Sequence, residues 1–280
     1  MEKLSRFKIG GILTLMLLPF LIIGQSDSTS LDYTLLKTLD ISSPIFTTDQ
    51  LRNVYTVTNT NEVIKYSPAG QKQFRYNNNT LGNLTFIDAT DPFNLLLFYL
   101  DFRRVILLDR NLTETGAFDL FNLDVIDVPA VGISSDNNLW IYDDIKFILT
   151  KIDRNGDVIQ ESNNLNLLLE KTLMPNFILE RNNILYVNDP EVGILVFDLF
   201  GNYTKTIDIR GLKQFQIIDQ QLIYWQEGYL NVFNLKSLQT RSLDLKLPPD
   251  QEQQVRIEKD RLYVRTGPYL KIYQIDTKNQ

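Results

Sequence analysis

Six times along the chain an apolar run carrying an aromatic or leucine follows a polar residue, and the interval barely changes. The runs are Asn53-Val54-Tyr55-Thr56-Val57, Asn94-Leu95-Leu96-Leu97-Phe98, Asn138-Leu139-Trp140-Ile141-Tyr142, Asn183-Ile184-Leu185-Tyr186-Val187, Gln221-Leu222-Ile223-Tyr224-Trp225 and Arg261-Leu262-Tyr263-Val264. The anchors Tyr55, Leu96, Trp140, Tyr186, Tyr224 and Tyr263 recur at intervals of roughly 40 residues, the length of a structural repeat. A period of that size means a supersecondary unit that cannot bury its apolar face alone and must stack on copies of itself.

Each anchor is followed, one short turn later, by a second apolar run that ends at Tyr66, Leu108, Ile152, Phe197, Phe233 or Tyr273. Most of these runs lead into a turn of Asn, Asp, Ser, Pro or Gly, such as Ser67-Pro68-Ala69-Gly70 and Asp153-Arg154-Asn155-Gly156. Short β-branched and aromatic runs bounded by such residues are strand and turn signals, because Asn and Gly tolerate positive φ. One further strand precedes each anchor, for example Phe215 to Ile218, and one follows each turn, for example Thr204 to Ile207. Four strands in about 40 residues make a propeller blade. The fold class is therefore all-β, a six-bladed β-propeller. A short helix is expected between Asn164 and Thr172. The last unit, Gln254 to Thr277, has room for three strands, and Tyr33 to Leu39 reads as a strand left over at the other end. The N-terminal strand is expected to close the last blade, which removes an exposed sheet edge.

The stretch from Met1 to Gly24 carries a different signal. Lys3, Arg6 and Lys8 precede a short apolar run, Ile9 to Gly24, broken only by Thr14. A basic start and a short apolar core make a secretory signal peptide. The run is shorter than the roughly 20 residues of a spanning helix. Residues 1–24 are expected to be a signal peptide, 25–30 a short polar linker, and 31–280 a single propeller domain without a transmembrane span. No Cys follows the apolar run, so the expected location is exported, periplasmic or outer-membrane associated, without lipid attachment at a cysteine. Beyond Gly24 the chain has 25 basic and 33 acidic side chains, a net charge of −8. That charge repels phosphate backbones and argues against nucleic acid as a partner.

The third unit resembles an NHL or TolB-like propeller blade. Pro129-Ala130-Val131-Gly132-Ile133, Asp136, Leu139-Trp140-Ile141, Asp143 and Ile152-Asp153-Arg154-Asn155-Gly156 carry the likeness, and Asn183 to Gly201 follows it more loosely. The other units keep only the apolar skeleton, and 13 glycines are few for a strict array. Ile87 to Leu112 also resembles exported propellers of the Bacteroidota with no established function. The resemblance implies a six-bladed ring with a binding role, and it brings no catalytic residues. Six-bladed propellers also include metal-dependent lactonases, whose acidic and amide ligands gather where the innermost strands begin.

Here those beginnings are Ser43-Pro44, Asn83-Leu84, Val128-Pro129, Pro175-Asn176, Gln214 and Gln254. Asn83, Asn176, Gln214 and Gln254 are the candidate tunnel-lining residues, amides rather than the several carboxylates a hard cation needs. They suit hydrogen bonding to a sugar, a peptide or water. Asp88, Asp91, Asp101, Asp143 and Asp144 are read as turn caps. Asp153 to Asp157 resembles part of a calcium loop but lacks its distal Glu, and is read as a hairpin turn. The chain contains no histidine and no cysteine. That removes the usual general base near neutral pH, and Ser134 and Ser135 have nothing to activate them. Trp140 and Trp225 are expected to pack between blades. No metal, cofactor or catalytic residue is assigned.

The expected function is a non-catalytic module for protein binding or assembly in the bacterial envelope, with another envelope protein as partner. The alternative is a metal-dependent lactonase-like hydrolase or a carbohydrate-binding propeller. The expected partner contacts are the long polar loops containing Asn77, Asn78 and Asn79, and Asn163 and Asn164.

Overall fold

The computed structural model describes residues 29–41, 45–123, 128–247 and 253–276. The expected signal peptide, nearly all of the linker and the strand start at Ser43-Pro44 lie outside the described residues. Six antiparallel sheets follow one another along the chain and form a six-bladed β-propeller. Blade 1 consists of Phe46–Thr48, Val54–Val57, Val63–Tyr66 and Lys72–Tyr76, counted outward from the axis. Blades 2 to 5 repeat this order, beginning at Phe86–Asp88, Val131–Ile133, Phe177–Arg181 and Gln216–Ile218. Blade 6 takes its three inner strands, Gln254–Glu258, Arg261–Thr266 and Tyr269–Ile275, from the C-terminal region, and its outer strand, Tyr33–Asp40, from the other end of the chain.

The expected closure is thus present, antiparallel, with Tyr33 opposite Ile275 and Asp40 opposite Tyr269. Thr29–Ser30 adds a short parallel strand outside blade 5, which sequence reading did not anticipate.

Burial follows position in the blade. The second and third strands are sandwiched between neighbouring blades. They must be apolar on both faces, so Val54–Val57, Leu95–Tyr99 and Gly193–Phe197 are buried throughout. Outer strands meet water on their free side and read polar, as in Lys72–Tyr76 and Tyr203–Ile207. Six apolar cores result, one between each successive pair of blades. The sixth joins Leu39, Tyr263, Leu270 and Ile272 of blade 6 to Phe46, Val54 and Tyr66 of blade 1 and completes the ring.

The turn chemistry repeats as well. Where the third strand hands over to the fourth, a side-chain oxygen accepts from two backbone N–H groups of its own turn. The acceptors are Ser67, Asp109, Asp153, Asp198 and Asn234. Asp153 therefore holds a hairpin turn, as its sequence suggested. Asp88, Asp91 and Asp143 likewise accept backbone N–H groups two residues ahead. The expected helix is a single turn, Leu165–Leu169, capped by Asn164.

The inner strands of blades 3 and 4 approach closely at Gly132. A β-carbon there would sit 2.7 Å from Ile178 Cγ2 and 2.8 Å from the Ile178 carbonyl oxygen. Backbone cannot yield as a flexible side chain can. Gly132→Ala should cost about 1–3 kcal/mol, the range for overpacking a close-fitted interior, read as a lower urea midpoint at unchanged slope.

Candidate functional site

The inner strands begin at one end of the ring, called here the upper face. The connections between blades and the turns between second and third strands open on the same face. Two cavities lie along the axis and share Gln214, Phe215, Gln216 and Arg256.

The upper cavity, about 770 Å³, opens between blades 5 and 6. Its wall combines Tyr224 and Trp225, at the upper end of the second strand of blade 5, with Gln214, Gln226 and Gln254. Gln226 Nε2 donates to the Arg210 carbonyl (2.7 Å). Gln214 and Gln254 are exposed and have no side-chain partner among the described residues. Below, the axis is narrowed by edge-on contacts of Phe177 with Phe86 and Phe215, at 5.7 and 5.1 Å between ring centroids.

The lower cavity, about 210 Å³, holds the charged groups of the axis. Glu258 accepts from Thr48 Oγ1 (2.7 Å) and Gln216 Nε2 (3.0 Å) and lies 3.9 Å from Arg256 Nη2. Arg256 Nε donates to Thr48 Oγ1 at 2.9 Å. Asp88 accepts from the Thr90 backbone N–H at 2.8 Å. Burial raises the Glu258 and Asp88 carboxyls above their ordinary values. Arg256 opposes the rise at both, as do hydrogen bonds from Thr48 to Glu258 and from Thr90 to Asp88. Burial in turn lowers Arg256. One guanidinium and two acids reluctant to ionise form a nearly charge-balanced cluster. Across the lower mouth, Arg181 Nη2 reaches Gln50 Oε1 at 3.4 Å, tying blade 4 to blade 1.

The four tunnel candidates separate into two pairs. Gln214 and Gln254 meet in the upper cavity. Asn83 is exposed on the upper rim, where its Oδ1 accepts from Asn61 Nδ2 at 3.2 Å. Asn176 fastens blade 4 to blade 5: its Nδ2 donates to the Leu212 carbonyl (3.3 Å), and its Oδ1 accepts from Asn188 Nδ2 (2.7 Å). The axial carboxylates Asp88 and Glu258 lie where inner strands end, opposite to the end from which the sequence reading sought ligands. Their signal was present: Gln254, Arg256 and Glu258 are spaced by two, which in a strand puts all three on one face. Among the described residues no group of three or more Asp and Glu side chains is placed to hold a metal ion.

Both expected partner loops rise on the upper face. Asn77, Asn79 and Asn163 are exposed. Asn78 shapes its loop by accepting from the Thr80 N–H and hydroxyl, at 3.0 and 2.7 Å. Asn164 caps the helical turn through Leu167 N–H (2.9 Å) and donates to the Lys146 carbonyl (2.9 Å). Sequence reading missed the side chains that accompany these loops. Leu100, Phe102, Phe121, Ile145, Leu167 and Met174 are all exposed on the upper face, in turns of blades 2 and 3 and in the connections that follow them. Arg103 stacks over Phe121 at 5.9 Å, and the Leu120 N–H donates to the Arg103 carbonyl (2.9 Å), joining two of these segments.

Trp140 behaves as expected between blades 3 and 4, fully buried with its indole N–H on Glu180. Trp225 packs between blades 5 and 6 but is only partly buried and also lines the upper cavity.

No protein-family model matches the chain, and no curated protein matches it. Solved structures do. The Pan2 WD40 domain of Neurospora crassa superposes with a TM-score of 0.61 at 11% identity, over 90% of this chain and 98% of that one. Virginiamycin B lyase of Staphylococcus aureus gives 0.53 at 13% identity, over 82% and 80%. A streptogramin B lyase gives 0.54 at 14% identity, over 82% and 78%. The likeness is one of fold. It agrees with the propeller read from the strand pairing.

Proposed function

We propose that the chain is a non-catalytic propeller that binds another protein as an assembly module of the bacterial cell envelope, in the manner of NHL or TolB-like propellers. The observation that carries this reading is the concentration of exposed apolar side chains on the upper face of blades 2 and 3 and the connections that follow them. Phe121 is 71% exposed, Leu167 80% and Met174 75%, and Phe102 and Ile145 are more than half exposed. Single exposed apolar residues are ordinary, and among the described residues the lower face has them singly at Leu51, Phe93, Phe200 and Leu238, in blades 1, 2, 4 and 5. A grouping rimmed by polar loops marks a protein contact. Asn77, Asn79 and Asn163 supply such a rim. The basic, apolar start of the chain supports export, and the acidic remainder supports a partner other than nucleic acid.

The chemistry of the axis favours binding over catalysis. Asp88 and Glu258 are engaged by Thr90, Thr48 and Gln216. Of the lyases similar in fold, the Staphylococcus aureus enzyme is catalytically inactive when one histidine is replaced by alanine. This chain has no histidine to take that part.

The test combines Phe121→Ser, Leu167→Ser and Met174→Ser in one variant and crosslinks it in its native envelope. Exposed positions away from special features tolerate substitution within about 0.5 kcal/mol each, so the fold should persist. The crosslinked partner seen with the unaltered protein should disappear, and a Leu238→Ser control should keep it. Equal capture by all three proteins would reject the upper face as the docking surface.

A further inference from the structure

We propose that the upper cavity between blades 5 and 6 is a binding site for a neutral mono- or disaccharide. Its volume, about 770 Å³, falls in the range of roughly 300–1,000 Å³ typical of small-ligand sites. Several polar groups there are free among the described residues. Gln214 and Gln254 face the cavity with both ends of their amides unpaired among the described residues. Gln226 has committed its Nε2 to the Arg210 carbonyl and keeps its oxygen. A primary amide offers two donors beside an acceptor. That set matches neighbouring hydroxyls, each of which donates and accepts. Trp225 adds a partly buried ring whose indole N–H has no partner among the described residues. Such a ring offers an apolar face to the C–H side of a pyranose and a donor at its edge.

Charge selects the neutral class. Arg256 forms part of the cavity floor, but Glu258 at 3.9 Å and Asp88 already answer its charge. An anion would compete with those carboxylates for Arg256, and a cation would meet the guanidinium. At the rim, Lys213 and Glu227 are of opposite sign. The charged groups of the lining are thus few and of both signs, and recognition falls to amides and an aromatic face.

Tryptophan fluorescence tests this directly. Trp140 is sealed from solvent, so a response to added ligand reports on Trp225. The probes are glucose, galactose, N-acetylglucosamine, maltose, cellobiose and chitobiose, with glucuronate and a Gly-Ser hexapeptide as comparisons. At least one neutral sugar should give a saturable change, and Trp225→Phe should weaken binding of that sugar as read by saturation-transfer NMR. Gln254→Ala, at an exposed position with no internal partner, should weaken binding about tenfold, the loss of a hydrogen bond or two. Saturation-transfer NMR should give the same dissociation constants. The proposal is overturned if no neutral sugar saturates, if only glucuronate or the peptide binds, or if Gln254→Ala and Gln214→Ala both bind as the unaltered protein does. The variant carrying Phe121→Ser, Leu167→Ser and Met174→Ser should bind sugar normally, so this site and the docking face stand or fall separately.

Discussion

Replacing Glu180 with alanine should destabilise the protein by about 3–5 kcal/mol, about 1–3 kcal/mol for a buried donor left unpaired and about 2 kcal/mol for the cavity between blades. Glu180 lies on the inner strand of blade 4 and is 8% exposed. It accepts from Ser134 Oγ (2.5 Å), Ser135 N–H (2.9 Å), Ser135 Oγ (2.7 Å) and Trp140 Nε1 (2.8 Å), all in blade 3 or the turn that follows its inner strand. The serine hydroxyls can rotate toward other acceptors. The indole N–H of Trp140 cannot, and Trp140 has no exposed surface through which water could serve it. Alanine therefore leaves a buried donor unpaired and a gap between two blades. Glutamine should cost less, because it keeps the shape and one strong acceptor.

The pH dependence distinguishes the two substitutions from simple loss of packing. Burial alone would raise the Glu180 carboxyl, but hydrogen bonds from Ser134, Ser135 and Trp140 outweigh it and hold the group below its ordinary value of 4.5. A carboxyl lowered by folding adds stability that is fully present above its unfolded value and is lost as the pH falls through its folded value. The gap in melting temperature between the unaltered protein and Glu180→Gln should therefore be wide at neutral pH and narrow on acidification. A gap that stays constant with pH would mean that the charge of Glu180 does not contribute.

Removing residues 29–41 should have a still larger effect. Tyr33–Asp40 pairs along the whole of Tyr269–Ile275, and Leu39 and Ile41 lie in the core between blades 6 and 1, at 6% and 3% exposure. Burying each of those two side chains is worth about 1.5–3 kcal/mol. The lost strand pairing adds about 0.5–1.5 kcal/mol for each net hydrogen bond. The total is comparable with the whole stability of an ordinary domain, about 5–15 kcal/mol. The truncated chain should lack a cooperative melting transition near that of the full protein. Its exposed strand, Tyr269–Ile275, should also promote association, since an uncovered edge is a template for pairing. A truncated monomer melting within a few degrees of the full protein would refute this.

What the sequence made legible follows from the range of the interactions. A blade is a local object: strand, tight turn, strand. Its alternation of apolar runs with Asx and Gly turns is complete within one repeat, so the anchors at Tyr55 to Tyr263 and their turns could be read directly. The ring closure was legible by counting strands, because a three-stranded last unit demands a fourth. Contacts between blades span a whole repeat and leave no local trace. Nothing near Glu180 announces that it serves Trp140, which lies one blade earlier in the chain. Asn83 and Asn176 occupy strand beginnings as Gln214 and Gln254 do, but Asn61, Asn188 and the Leu212 carbonyl engage them. Side-chain type does not fix which way each of the four amides points. Arg256 and Glu258 were readable from their spacing by two. The phenylalanine contacts across the axis, Phe86 to Phe177 to Phe215, join three blades and had no sequence signature.

The circle of blades is latched by pairing of Tyr33–Asp40 with Tyr269–Ile275, and the absence of cysteine permits a clean test of the latch. Thr38 lies opposite Lys271 in the strand pairing that closes blade 6. In the double variant Thr38→Cys and Lys271→Cys, mild oxidation should give a monomer with an internal disulfide and a higher melting temperature. A control joining Thr38→Cys with Lys205→Cys, on the outer strand of blade 4, should remain reduced or form only dimers. Failure of the first pair to crosslink within one chain, or equal crosslinking by the control, would contradict the closure.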